Sequence, residues 1–208
     1  MATQTLLMNF HPGNLYHIYN QGNNQQNIFL AREDYLCFLK EIRKLILPNC
    51  EIVTYCLMPN HFHLMVYTDE RLVEKIKQGG LIIDKLTNGI RKLLSGYARI
   101  YNKKYNRSGS LFRQKTKCKL LTDESVVINH SLSVIDYCSN CFHYIHQNPW
   151  RAKLVARMED WEYSSFKDYA GLRNGSLCNK QLAEKHCYYS SENFMKESYR
   201  EIIGGFEY

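Results

Sequence analysis

Between residues 85 and 122 the chain has not one Asp or Glu, yet eleven Lys and Arg fall there. The net charge of +7 over 208 residues is therefore carried by this one segment, and the remainder is net acidic. So one-sided a block points to a polyanionic partner, because a phosphate backbone offsets the self-repulsion of clustered cations. Other absences narrow the class. No apolar run approaches the ~20 residues needed to span a bilayer, so no membrane partner is expected. The first residues lack a basic start followed by an apolar stretch and a small-residue cleavage site, so a cytoplasmic location is expected. No phosphate-loop motif is present, which argues against an ATP-driven step. Eight cysteines show no framework spacing, and Cys138-x-x-Cys141 has no second pair at zinc-ribbon distance; reduced thiols filling a core are expected. The chain is too short for two ordinary enzyme domains, so one is predicted.

What is present alternates between two periodicities. Residues 15–21 read as a strand broken by Gly22, and 32–47 as an amphipathic helix stopped by Pro48. Residues 51–57 and the run from His61 onward read as strands joined by a Met-Pro-Asn turn. A long helix is predicted over 72–101, with Gly79-Gly80 as a break, then a basic loop and a strand over 111–121. That strand would set Arg113, Lys115, Lys117 and Lys119 on one face and Phe112, Cys118 and Leu120 on the other. A helix over 123–147 ends at Pro149, and an amphipathic helix is predicted near 192–203. The order strand, helix, strand, strand, helix, strand, helix predicts an α+β fold. Its sheet is antiparallel and ferredoxin-like, with helices on one face and the last long helix free to approach the other.

The centre of the pattern is His61-Phe-His63. Alternation puts both imidazoles on one strand face, their Cα atoms roughly 6.5 to 7 Å apart, so inward-leaning rings can share a metal ion. The competing reading is a pair of half-buried strand histidines bonded to neighbours. Further along, Tyr144 and Asn148 lie one helical turn apart, with Tyr137 on the same stripe.

Four stretches together resemble the single-tyrosine HUH transposases, and within them the REP-associated tyrosine transposases: Tyr16 to Gly22, Met58-Pro-Asn-His-Phe-His-Leu64, Gly109-Ser-Leu-Phe112, and Tyr144-Ile-His-Gln-Asn-Pro-Trp-Arg-Ala-Lys-Leu-Val155. The resemblance runs from about residue 15 to 170 and implies a transposase domain over 1–170 followed by a C-terminal extension over 171–208. By position it makes Tyr144 the catalytic nucleophile, and His61, His63 and Asn148 the ligands of Mg²⁺ or Mn²⁺. Related transposases carry Gln at the last of these positions, and Gln147 adjoins Asn148, so both amides are candidates. It also implies cleavage and rejoining of single-stranded, hairpin-associated DNA through a 5′-phosphotyrosine. The DNA contacts would come from Lys103, Lys104, Arg107, Arg113, Lys115, Lys117 and Lys119, with Tyr97, Tyr101, Tyr105 or Phe112 either stacking on bases or filling the core. Arg113-Gln114 stands where relatives tend to carry Gln first. A homodimer is compatible with the chain. Two competing functions are a hairpin-binding regulator that has lost catalysis, and a metal-dependent nuclease that uses water.

Overall fold

The computed structural model describes residues 8–69, 74–78, 80–123 and 133–202. Four strands, β1 (Asn14–Gln21), β2 (Glu51–Met58), β3 (His61–Thr68) and the short β6 (Lys117–Leu120), form an antiparallel sheet in the order β2-β3-β1-β6. With α1 (Arg32–Leu45) between β1 and β2 and α2 (Lys85–Lys104) between β3 and β6, this is the ferredoxin-like arrangement expected from the sequence.

Strand alternation builds a separate core on each face. Tyr16 and Ile18 of β1 and Phe62, Leu64 and Val66 of β3 meet Phe38 and Ile42 of α1 and Ile90, Leu93 and Tyr97 of α2. The two helices approach closely at Gly89, where a Cβ would stand 2.3 Å from the Leu45 carbonyl oxygen. At its start α1 is fastened by Asp34, which is buried and accepts from the amides of Leu30 and Ala31, from the Tyr105 hydroxyl and from Lys104. These donors hold its carboxyl below the usual carboxylate range although burial pushes the other way.

The opposite face is covered by α3 (Val134–Arg151), whose Ser133 N-cap and Asp136 form a capping box. Cys138, Cys141, Phe142 and Ile145 of α3 pack on Leu15, Cys56 and Met65. The single-turn α4 (Phe166–Tyr169), α5 (Lys180–Cys187) and single-turn α6 (Phe194–Ser198) add Tyr169, Cys187 and Phe194 to the same core. All eight cysteines are free thiols. Burial pushes the Cys138 thiol up to about 12 and that of Cys141 well above the usual thiol value, as befits side chains that fill a core.

Four expectations are corrected. Residues 72–101 are not one helix: β4 (Lys75–Gln78) and β5 (Leu81–Asp84) form a hairpin, and α2 starts only where Asp84 caps the Thr87 amide. Gly80, at φ 82°, supplies the left-handed turn residue between them. The basic strand is shorter than 111–121, because residues 111–116 are tied down irregularly, with Arg113 N donating to Gln21 O and the Asn20 amide to Arg113 O. Pro149 does not end α3, which runs on to Arg151; the ring removes one amide donor, and the Ala152 amide still bonds to Asn148 O. Of the described residues 192–202 only Phe194–Ser198 are helical, where a longer helix was expected. Residues 124–132, predicted as the start of the last long helix, lie outside the described residues, as does the end of the C-terminal prediction.

Candidate active site

The turn that delivers β3 is held rigidly. The Pro59 carbonyl accepts from the amides of Ile28 and Phe29, and the Asn60 carbonyl from that of Gly22. Register then fixes what faces α3: Gln21 lies opposite His61, Tyr19 opposite His63, and Lys117 and Lys119 of β6 opposite Tyr19 and His17. His61 and His63 thus share a face with His17, Tyr19 and both β6 lysines, beneath α3.

The two imidazoles of the motif are buried, their ring centroids 5.1 Å apart and their planes perpendicular. Each has its Nδ1 engaged. His61 Nδ1 is 2.6 Å from Asn60 Oδ1, an atom that only accepts, so the ring proton sits on Nδ1 and Nε2 keeps its lone pair. His63 Nδ1 lies 2.8 Å from His17 Nε2. With His63 as donor, its Nε2 is likewise left basic. Burial lowers the pKa of His61 to about 4 and of His17 to about 3, and drives that of His63 well below the usual imidazole value, so all three are neutral near pH 7. Neutral rings with Nδ1 fixed by a neighbour are what divalent coordination through Nε2 needs.

α3 contributes the rest. Tyr144 stands edge-on to His63, its centroid 5.7 Å away, and 6.3 Å from that of His17. The Asn148 side chain is close enough to both motif histidines and to the Tyr144 phenol to raise the pKa of the former and lower that of the latter, and its amide nitrogen donates to the Tyr144 carbonyl one turn back. Burial pushes the Tyr144 phenol up to about 12, with the Asn148 contact opposing. The motif Tyr144-Ile-His-Gln-Asn divides its labour: His146 bonds Thr54 and Ser165 under the helix, and Gln147 donates to the carbonyls of Ser198 and Arg200. Gln147 is thus engaged with the C-terminal segment, and Asn148 is the amide beside the histidines. Among the described residues no group of three or more His, Cys, Asp or Glu forms a metal cluster. A metal there would use two imidazoles and one amide oxygen, a hard N/O donor set suited to Mg²⁺ or Mn²⁺ and lacking any thiolate.

The other predicted residues divide. Tyr137 is buried under the Lys119 ammonium, 5.1 Å from its ring centroid. Tyr97 and Tyr101 donate to the carbonyls of Ile28 and Asn27 inside the core, and Tyr105 donates to Asp34, so none of the three has its hydroxyl free for a ligand. Lys104 is paired with Asp34 at 2.6 Å, and Arg107 donates to Asn102 at the end of α2 and to the Ser110 carbonyl of its own loop. Lys103 is exposed. Arg113 and Lys115 are separated from Lys117 and Lys119: the first two line a cleft against α2, on the opposite side of the sheet from the histidines. His17, Tyr19 and Asn60 lie within the stretches that carry the resemblance, which gives none of them a role at the site. Only the cross-strand register brings His17 and Tyr19 to His63.

No family model matches the chain. Over 137 residues it is 27% identical to a protein of Haemophilus influenzae assigned to the REP-associated tyrosine transposases, an alignment spanning 62% of this chain and 69% of that protein. A solved structure of a REP-associated tyrosine transposase bound to a REP hairpin matches with a TM-score of 0.50 at 12% identity, covering 82% of this chain and 93% of that one. The structural likeness establishes a common fold. Together with the sequence similarity, it bears out the resemblance that the motifs carry.

Proposed function

We propose that the chain is a transposase-like endonuclease that cuts and rejoins single-stranded, hairpin-containing DNA through a covalent 5′-phosphotyrosine. The observation that carries this reading is the convergence of His61, His63, Asn148 and Tyr144 between β3 and α3. His61 Nε2, His63 Nε2 and the Asn148 amide oxygen would hold Mg²⁺ or Mn²⁺. When bound, such an ion supplies positive charge against the non-bridging phosphate oxygens and the departing 3′ oxygen. The Tyr144 oxygen forms the new bond to phosphorus as the bond to the 3′ oxygen breaks; the phenol gives up a proton and the 3′ oxygen takes one, so the step is balanced. The phosphotyrosyl bond keeps the free energy of the phosphodiester, so rejoining is the same exchange in reverse. Asn148 orients the phenol, and burial keeps Tyr144 protonated until a substrate phosphate is in place. Lys117 and Lys119 on the same face lie where they can meet the backbone of an approaching strand.

The test is a denaturing gel of the protein after incubation with labelled hairpin DNA bearing unpaired flanks and Mn²⁺. A protein-linked DNA band that disappears with a chelator is expected. Cleavage without the band would replace this reading with a nuclease using water. Binding without either would leave a hairpin-binding regulator.

A further inference from the structure

On the far side of the sheet from the histidines, α2 and the irregular segment 110–116 enclose a cleft of about 570 Å³. Its lining is amphipathic in an ordered way. Ile90 and Phe112, both buried, and the half-buried Leu94 supply apolar surface, whereas Arg91, Arg113 and Lys115 are exposed cations around it. No carboxylate lies within the segment that supplies those cations. The wall is preformed: the buried Asn20 amide donates to Arg113 O and to Thr116 Oγ1, the Asn23 amide and Gln26 Nε2 both donate to Leu111 O, and Phe112 bridges to Gly22. Such a wall costs little further ordering when a ligand enters.

The cleft adjoins an edge. β6 is the outer strand of the sheet, and the cations change sides where the irregular segment enters it: Arg113 and Lys115 before it face the cleft, Lys117 and Lys119 within it the histidine face. Asn20, which pins the cleft wall, immediately precedes Gln21, the register partner of His61. Positive charge therefore runs from the cleft around the sheet edge to the end of β3 that carries His61.

We infer that this cleft is a base-binding pocket: an unpaired nucleotide of the DNA strand inserts its base against Ile90, Leu94 and Phe112, with its phosphates on Arg91, Arg113 and Lys115. The strand then passes around β6 to the histidine face. This rests on the proposed DNA chemistry for its substrate, but it adds a second subsite on the opposite face of the sheet. An apolar slot rimmed by one sign of charge fits a nucleotide in both its parts. A duplex, whose bases are stacked and covered, could use the rim alone.

The test uses the full chain and a DNA hairpin with unpaired adenine flanks on both sides, scanned one position at a time with an abasic nucleotide. Binding is followed by fluorescence anisotropy and adduct formation on a denaturing gel. For the wild type, one flank position should weaken binding about tenfold when abasic, while its neighbours have little effect. Ala98→Trp, which fills the cleft, should bind intact DNA about tenfold more weakly and lose the abasic sensitivity, yet still form adduct at saturating DNA. Ser95→Phe, on the exposed side of α2, is the second filling variant; thermal melts decide which of the two is folded and counted. A wild type that forms adduct but shows no sensitive position, or filled variants that bind and discriminate as the wild type does, would overturn the pocket and leave the cleavage chemistry standing. A sensitive position with no adduct would support the pocket and remove the proposed tyrosine chemistry. No binding to this DNA at low salt would overturn both.

Discussion

The two faces of the sheet treat their buried polar groups differently. On the α1/α2 face the Tyr97 and Tyr101 hydroxyls end on backbone carbonyls, and Asp34 gathers two amides, a phenol and an ammonium. Each of these groups is spent on holding the fold. On the α3 face His17, His61, His63, Tyr144 and Asn148 are arranged mainly against one another, with Nδ1 of both motif histidines satisfied by side chains. Neutral imidazoles and a phenol buried against one another contribute little to stability. What the arrangement does provide is a set of neutral donors already in place. One face reads as scaffold, the other as a site, and each can be broken separately.

The largest separation is expected from Tyr144→Phe. It removes one hydroxyl, so melting temperature, metal affinity and DNA binding should stay near wild type, while cleavage and adduct fall below roughly a thousandth. Peptide mapping of the wild-type adduct should return Tyr144. Tyr19, half-buried with its ring centroid 5.8 Å from that of His63, is the rival the register reveals, and Tyr137 the rival on the helix. Adduct on either would transfer the nucleophile's role. Next in size, His61→Ala or His63→Ala should lower Mn²⁺-dependent cleavage by about a hundredfold or more and leave hairpin affinity largely intact. Full cleavage by both single variants would remove the metal site.

The scaffold face is broken by Asp34→Asn, with the opposite profile. Loss of the charge weakens four hydrogen bonds at once, and a cost of about 2 kcal/mol in unfolding free energy is expected. Cleavage below the melting transition should be unchanged. The pH sign follows from the lowered carboxyl: the stabilisation is present above the ordinary carboxylate pKa and is lost as pH falls through the lower folded value. Chemical denaturation of wild type and variant should therefore converge in acid. A constant difference from pH 7 down to pH 2 would assign the effect to shape and not to charge.

Much of this contrast was legible in the sequence, and the failures have physical causes. Alternation in 61–66 put the histidines opposite Phe62, Leu64 and Val66, and each set duly faces its own helix layer. The Tyr144 and Asn148 spacing survived even though Pro149 did not end α3, because a four-residue offset depends on helical geometry and not on where the helix stops. The β4–β5 hairpin was misread because apolar Ile76, Ile82 and Ile83 suit a helical stripe as well as two short strands, and only Gly80 and the Asp84 cap decide between them. The even spacing of Arg113, Lys115, Lys117 and Lys119 suggested one cationic face, but period-two logic fails where the backbone is held by Asn20 and Gln21. His17 falls in one of the stretches that carry the resemblance, but its role was not legible there: its partner lies 46 positions away, and nothing local announces a cross-strand contact.

That contact gives a sharper test of the site face. If His17 accepts from His63 Nδ1, it fixes the tautomer that leaves His63 Nε2 basic. His17→Phe should then weaken Mn²⁺ binding, measured calorimetrically without DNA, by about 10- to 100-fold. His17→Gln, which retains an acceptor, should recover most of it. Equal affinities for wild type and both variants would show that His17 only packs.

The smallest effect expected is also the one that asks whether the two faces act on one strand. Counterion release makes the logarithm of affinity fall linearly with the logarithm of salt concentration, by about 0.7 per phosphate contact for single strands. Arg113 and Lys115 belong to the cleft side, Lys117 and Lys119 to the histidine side. Neutralising either pair to Gln should flatten the slope by about one unit, and neutralising all four by about twice that, with similar losses on unrelated hairpin sequences because phosphates carry no sequence information. A slope that responds to the β6 pair alone would confine DNA to the histidine face. A slope that responds to the cleft pair alone would place the strand where it cannot reach Tyr144 by the edge route. Only a response to both, adding in the fourfold variant, is consistent with one strand bridging the two faces around β6.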